Sequence, residues 1–200
     1  AGVYKGQKRH ASSSNAERIG VDSMTDALER FYPVMKIGFS RKMTRSEFDR
    51  KDIRRAFKSV TRERMCLLVG GAKSNRFVSE LYNNFSGVHW KIKCEEPSTD
   101  AFLSDGRGHR YIIDYVQDKS GRVALDYGVV SFMKNPCAEE TPLVYIAGCT
   151  GLATKAGTDV FCNPWKFELD FASIVEKAMH GEIVELPFSY NSARDEITFL

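Results

Sequence analysis

Residues 65–75 read Met65-Cys-Leu-Leu-Val-Gly-Gly-Ala-Lys-Ser-Asn75, a short apolar run that ends in two glycines. The apolar run has the composition of a buried β-strand. Gly70 and Gly71 allow the sharp turn that follows, because a residue without Cβ tolerates positive φ. Residues 77–85 then place large apolar side chains at the spacing of one helix face. The stretch therefore predicts a strand, a glycine turn and a helix whose first N–H groups face the turn.

A second stretch of the same kind is Leu143-Val-Tyr-Ile-Ala-Gly-Cys-Thr-Gly-Leu-Ala-Thr-Lys-Ala-Gly157. It is also an apolar run that enters a turn rich in glycine and threonine, and a helix is predicted after it. Ligands in open α/β sheets collect at the carboxyl ends of the strands, so we expect both turns to border one cleft. Small residues, hydroxyls and lysines there would bind an anionic or nucleotide-like ligand. The predicted ligand-binding residues, including one aspartate from another strand, are Gly70, Gly71, Lys73, Ser74, Asn75, Asp126, Gly148, Thr150, Gly151, Thr154 and Lys155.

Plainer interpretations of these turns stay open. A strand-to-helix turn often needs glycine for its geometry alone, and the second turn lacks the Gly-Lys-Ser/Thr ending of a P-loop. Cys149 lies near a predicted helix start, where a depressed pKa would make its thiol a nucleophile. It equally suits a tight turn as a small residue, and no partner histidine is evident. The catalytic residues, if there are any, stay unknown at this stage.

A basic segment precedes the first strand. Residues 41–64 contain ten Lys or Arg and four Asp or Glu, a net charge of +6. Thr44-Arg-Ser-Glu47 has the form of a capping box, which predicts a helix start. The basic face of that helix contains Lys51, Arg54, Arg55 and Lys58. This face is either ordinary solvated surface or a patch that attracts nucleic acid or an acidic protein.

The totals restrict the class of protein. The 200 residues are 42% apolar and include thirteen Phe, enough for the core of one domain. No apolar run approaches the roughly 20 residues of a membrane span. The five cysteines are an odd number and widely spaced, without metal-binding patterns. We predict a reduced cytoplasmic protein with no metal, no cofactor and no membrane contact.

Residues 1–20 are predicted to be a flexible basic, Ser-rich arm, and residues 21–200 a single domain. The chain begins at Ala1, so other domains of a longer chain are expected partners.

The rest of the chain contains more predicted strands than helices. Asp118-Lys-Ser-Gly121 predicts the turn of an antiparallel hairpin, and residues 95–108 a polar loop. Gly128 inside a strand pattern indicates a bulge or a close approach of backbone. The other predicted elements are strands at 88–94, 110–116, 122–133, 182–190 and 196–200, and a helix capped by Asp170. The predicted fold class is α/β: a Rossmann-like, mainly parallel sheet flanked by helices, with an antiparallel hairpin and an edge strand.

Three motifs carry a resemblance to a known group of proteins. They are the unit at 65–75, the strand Asp126-Tyr-Gly-Val-Val-Ser-Phe-Met-Lys-Asn-Pro136, and the loop Ala147-Gly-x-x-Gly-x-Ala-Thr154. Over residues 65–161 the chain resembles Rossmann-like modules of bacterial and archaeal signalling and antiviral defence proteins, including the nucleotide-sensing SLOG and CARF domains. The resemblance implies a sensor domain for a nucleotide or nucleotide-derived ligand. The chain departs from it where Ala153 replaces the frequent glycine, and it lacks the Pro-Gly-Gly-x-Gly-Thr run of phosphoribohydrolase-type members.

Three function hypotheses follow. The first is a ligand-sensing or regulatory module that binds a nucleotide-like anion through both glycine turns. The second is an enzyme that acts on such a ligand, such as a nucleotide or NAD glycohydrolase. The third is an interaction domain whose basic helix meets nucleic acid or protein, for which binding would depend steeply on salt.

Overall fold

A computed structural model describes residues 66–71, 85–95, 100–117, 121–135 and 138–200 of the chain. The predicted arm, the basic helix and the helix after the first glycine turn lie outside these residues. The elements are β1 Cys66–Val69, β2 Lys91–Cys94, β3 Ala101–Ser104, β4 Arg110–Ile112, β5 Asp114–Tyr115, β6 Val123–Asn135, β7 Ala138–Gly148, α1 Gly151–Cys162, a 3₁₀ helix Pro164–Phe167, α2 Phe171–Met179, β8 Val184–Asn191 and β9 Glu196–Phe199.

The main sheet is mixed. Its strand order is β1-β7-β6-β8-β9, with β5 also paired to β6. Only β1 and β7 pair in parallel among the described strands, and all other neighbours are antiparallel. The α/β class holds, but the prediction of a mainly parallel sheet is wrong for this part of the chain. The reason is that β6 and β7 form one long hairpin, whose two apolar strands resemble the buried strands of a parallel sheet.

Both faces of the main sheet are covered. Val130 and Phe132 of β6 pack with α1 and α2 on one face. Val129 and Met133, the alternate residues of the same strand, pack on the other face against the small sheet β2-β3-β4. Helices, main sheet and small sheet therefore form three layers, and the polar groups near the middle layer must find partners inside the protein.

The small sheet corrects one prediction. Residues 95–108 were predicted as a polar loop, but β3 within them is buried along its whole length. With only four residues between polar neighbours, this strand is too short for a periodic pattern to show. The carboxylate of Glu185 in β8 fastens the small sheet to the main one, accepting from the N–H groups of His89 and Trp90 at 3.0 Å each.

The C-terminal part agrees with the sequence. Asp170 caps α2 by accepting from the N–H of Ser173 at 3.1 Å, and Gly181 has φ +97° just after the helix end. Both predicted C-terminal strands are present as β8 and β9, which pair with each other, and β9 lies at the edge of the sheet. The predicted hairpin is present in the antiparallel pairing of β5 with β6, whereas β4 joins the small sheet. None of the described helices has the length and apolar character that a membrane crossing needs.

Candidate functional site

The two glycine turns lie side by side. In the parallel pair, Val69 of β1 is opposite Ile146 of β7, so both strands end at the same edge of the sheet. The N–H of Gly70 donates to the carbonyl of Ile146 at 2.9 Å, and Gly70 has φ +104°. A Cβ added to Gly71 would lie 3.4 Å from the carbonyl oxygen of Gly148. The expected adjacency of the turns is confirmed.

Two glycines, one within β6 and one at the end of β7, leave room for close neighbours. Gly128 of β6 and Gly148 of β7 are opposite each other in the antiparallel register. A Cβ on Gly148 would lie 2.4 Å from both Ala153 Cβ and Thr154 N, and one on Gly128 would lie 2.4 Å from Phe188 Cζ. The predicted close approach at Gly128 is therefore present, with a side chain as the approaching group. Gly148 therefore lets the first turn of α1 begin directly on the end of β7, whereas the space over Gly128 is filled by the Phe188 ring.

A buried carboxylate lies under the start of α1. Asp126 is 0% exposed, and its carboxylate accepts from the N–H groups of Tyr127 at 2.8 Å and Ala153 at 3.1 Å. It also accepts a very short hydrogen bond from the hydroxyl of Thr150. Burial raises the pKa of Asp126, against the opposite effect of these hydrogen bonds. The positive end of the α1 dipole thus has an anion of the chain itself beside it.

The two threonines of the second turn stabilise the turn itself. Thr150 is the N-cap of α1, and its hydroxyl oxygen accepts from the N–H of Leu152 at 3.0 Å. The buried hydroxyl of Thr154 accepts from the N–H of Gly148 and donates to the carbonyl of Thr150, both at 3.0 Å. Lys155 by contrast is exposed. A ligand contact by these residues stays a prediction, and the structure assigns both hydroxyls a structural role.

The remaining predicted site residues fall into two groups, those buried in the turns and those outside the described part of the chain. Gly70, Gly71, Gly148 and Gly151 are buried in the two turns. The residues outside the described part of the chain are Lys73, Ser74 and Asn75 after the first turn, and Lys51, Arg54, Arg55 and Lys58 of the basic patch. Their roles stay predictions.

Cys149 is not an activated thiol. Its N–H donates to the carbonyl of Tyr127 at 2.8 Å, which holds this partly exposed residue against β6. Burial, and secondly the negative charge of Asp126, raise the pKa of the Cys149 thiol well above its ordinary value. The nucleophile interpretation needs a depressed pKa, and that prediction is wrong. The thiol is buried, and the charge beside it is the carboxylate of Asp126.

The structure adds an aromatic row that sequence reasoning missed. Trp90, Tyr111 and Tyr127 pack in series, with ring centroids 5.5 Å and 5.6 Å apart, and all three are partly exposed. The row starts beside Cys149, on the face that carries the small sheet. Burial, and then the charge of Asp114, raise the pKa of Tyr127. Each residue belongs to a different segment of the chain, so no local pattern indicated the row.

Neither a metal-ligand cluster nor a known relative identifies the site within the described residues. The described residues contain no group of three or more His, Cys, Asp or Glu side chains placed to hold a metal ion. Comparison of the chain with protein-family models, curated proteins and solved structures finds no match. The candidate site therefore consists of the paired turns and the aromatic row.

Proposed function

We propose that this protein is a ligand-sensing module whose site lies where β1 and β7 end, and that it binds a nucleotide-like small molecule. The observation that carries the proposal is the parallel pairing of these strands, joined at their ends by the Gly70 to Ile146 hydrogen bond. Parallel strand ends with glycine turns are the usual place for ligands in α/β sheets. A Rossmann-like relationship and a signalling role belong to this proposal and depend on the same feature.

The chemistry around the turns suits a ligand with a planar part and a charged part. Partly exposed Trp and Tyr rings, such as those of the aromatic row, offer faces and edges on which a heterocyclic base can pack, worth about 1–3 kcal/mol per stacked base. Exposed Lys155 can reach an anionic group from the solvent side. The predicted contacts of Lys73, Ser74 and Asn75 would complete the site from the first turn.

The first experiment is native mass spectrometry of the purified protein, to detect a nucleotide that co-purifies. Isothermal titration with a panel of nucleosides, mononucleotides and dinucleotides then ranks affinities. We expect at least one member to bind with 1:1 stoichiometry and to remain chemically unchanged. Turnover of a bound member would instead favour the enzyme hypothesis, and no binding by any member would refute the proposal.

Two substitutions test whether both turns serve one ligand. Asn75→Ala removes a predicted contact at the first turn, and Lys155→Gln removes the cation after the second. Each should weaken binding about tenfold, the effect of losing one hydrogen bond to a charged group. Lys177→Gln, an exposed lysine in the last turn of α2, is the matched control and should leave affinity unchanged. Loss at only one of the two turns would contradict a shared site.

A further inference from the structure

The aromatic row has a carboxylate at one end. Asp114 of β5 is opposite Leu125 of β6 in the antiparallel register, and Tyr127 is the next residue of β6 on the same face of the strand. The pKa of Tyr127 is raised by burial and then by the charge of Asp114, so the carboxylate acts on this ring. Asp114 itself is exposed. An accessible negative charge therefore lies beside a partly exposed aromatic surface.

The described part of the chain supplies no cation to this surface. Asp114 forms no ion pair with any described residue. The guanidinium of Arg110 lies 4.9 Å from the centre of the Phe102 ring. Arg110 and Tyr111 are consecutive residues of β4, so their side chains point to opposite faces of the small sheet. This cation–π contact is therefore on the face away from the aromatic row.

The exposed sides of the rings suit a positive charge. Packing between the two sheets buries one side of each ring, and a ligand can reach the rest. Successive rings are inclined by 43° and 54°, so the row presents ring faces in different directions. Each face is the negative side of an aromatic quadrupole and attracts a cation. The carboxylate of Asp114 adds to this attraction.

We infer that the aromatic row and Asp114 form a recognition site for a positively charged heterocyclic ring, so that the nucleotide-like ligand has a cationic base. N-alkylated purines and pyridinium rings share this chemistry. The inference rests on the proposed function and names the class of base that the ligand contains. The row starts beside Cys149 in the second turn, so the sugar and phosphate would extend toward that turn and Lys155.

The first test compares cationic probes with neutral ones by isothermal titration at about pH 6, where carboxyl groups are ordinarily ionised. The pairs are 7-methylguanosine monophosphate with guanosine monophosphate, and 1-methylnicotinamide with nicotinamide. In at least one pair the cation should bind about tenfold more tightly than its neutral partner. The pair that shows the preference tells an N-alkylated purine from a pyridinium ring.

Equal affinity within both pairs, or no binding by either cation, overturns the inference. If neutral nucleotides bind as well as cationic ones, the proposed function stands and the inference fails. If 1-methylnicotinamide binds with the expected preference and no nucleotide binds, the proposed function fails and the cation site stands.

The second test places the bound cation on the row. Asp114→Asn should weaken binding of the preferred cation about fivefold and leave binding of its neutral partner unchanged. Glu182→Gln is the control, because it removes an exposed carboxylate outside the row and should have no effect. Asp114 is exposed, so its variant should fold normally. Full affinity of Asp114→Asn for the cation would overturn the assignment of this carboxylate.

A third set of variants tests the rings. Tyr127→Leu should lose the preference for the cation, whereas Tyr127→Phe keeps the ring and should retain it. A Trp165→Phe background leaves Trp90 as the only tryptophan of the chain. The cation should then change the fluorescence of Trp90 saturably, with the dissociation constant found by titration. A cation that binds without changing this fluorescence lies elsewhere, and the inference is overturned.

Discussion

Gly148→Ala is the most direct perturbation of the candidate site. The new methyl group would lie 2.4 Å from Ala153 Cβ and 2.4 Å from the backbone nitrogen of Thr154. Neither neighbour can rotate away, since the Ala153 Cβ is fixed directly to the α1 backbone and Thr154 N is part of that backbone. The first turn of α1 must therefore move off the sheet, or β7 must bend.

The cost follows from what that movement breaks. Overpacking of a buried position costs about 1–3 kcal/mol. Displacement of α1 also weakens the hydrogen bonds from Gly148 N–H to Thr154 Oγ1 at 3.0 Å and from Ala153 N–H to Asp126 at 3.1 Å. Each buried hydrogen bond contributes about 1 kcal/mol. We expect a loss of about 3 kcal/mol in the free energy of unfolding, and a fall of about 6–12 °C in melting temperature for a chain of this size.

Urea unfolding followed by circular dichroism measures this loss. An unchanged slope of the unfolding free energy against urea concentration shows that the variant unfolds in the same way. Gly106→Ala is the control: the atoms nearest to its Cβ belong to the side chain of His89, which is mostly exposed and can shift toward solvent. It should change stability by no more than about 0.5 kcal/mol. If Gly148→Ala is as stable as Gly106→Ala, the close seating of α1 on Gly148 is refuted.

Other expected outcomes concern Asp126, Glu185 and Cys149. Because burial raises the pKa of Asp126 above 3.8, its contribution to stability is full below that pH and is lost as the pH rises through the folded value. The unfolding free energy relative to Asp126→Asn should therefore fall as the pH rises above about 4, and pH-dependent urea midpoints that run parallel for both proteins would contradict this. Glu185→Ala leaves two N–H groups unpaired and should cost about 1–3 kcal/mol, with faster amide exchange in β2 but not in β9 as the measurement. Cys149 should react with iodoacetamide more slowly than exposed Cys94 at neutral pH, because burial raises its pKa; equal rates by peptide mass spectrometry would refute that protection.

Much of the candidate site could be read from local sequence. An apolar run before two glycines predicted β1 and its turn, and the second run predicted the later part of β7, its turn and α1. The adjacency of the turns also followed, from the general placement of ligand sites in α/β sheets. The caps at Asp170 and Gly181 were equally local, because a helix end is decided by hydrogen bonds within a few residues.

The direction of the strands was decided by tertiary structure. β6 and β7 are buried on both faces, and an apolar run has the same appearance whichever way its neighbour runs. Asn135 and Ala138 are paired, so only two residues connect the strands, which is far too few for the crossover that parallel strands need. The strand predicted at 122–133 stopped just before this connection, and no local pattern showed that the next strand returns beside it.

The function of polar residues depended even more on the whole fold. By sequence, Thr150, Thr154 and Asp126 were polar groups at a turn and a strand, suited to a ligand. Asp126 lies 24 residues before Thr150, and only the register of β6 beside β7 brings the two together under α1. The sequence by itself determined the apolar runs, the glycine turns and the helix caps, which depend on neighbouring residues. Tertiary structure decided which hydrogen bonds the chain satisfies internally, because the partners of a buried polar group come from segments that are distant along the chain.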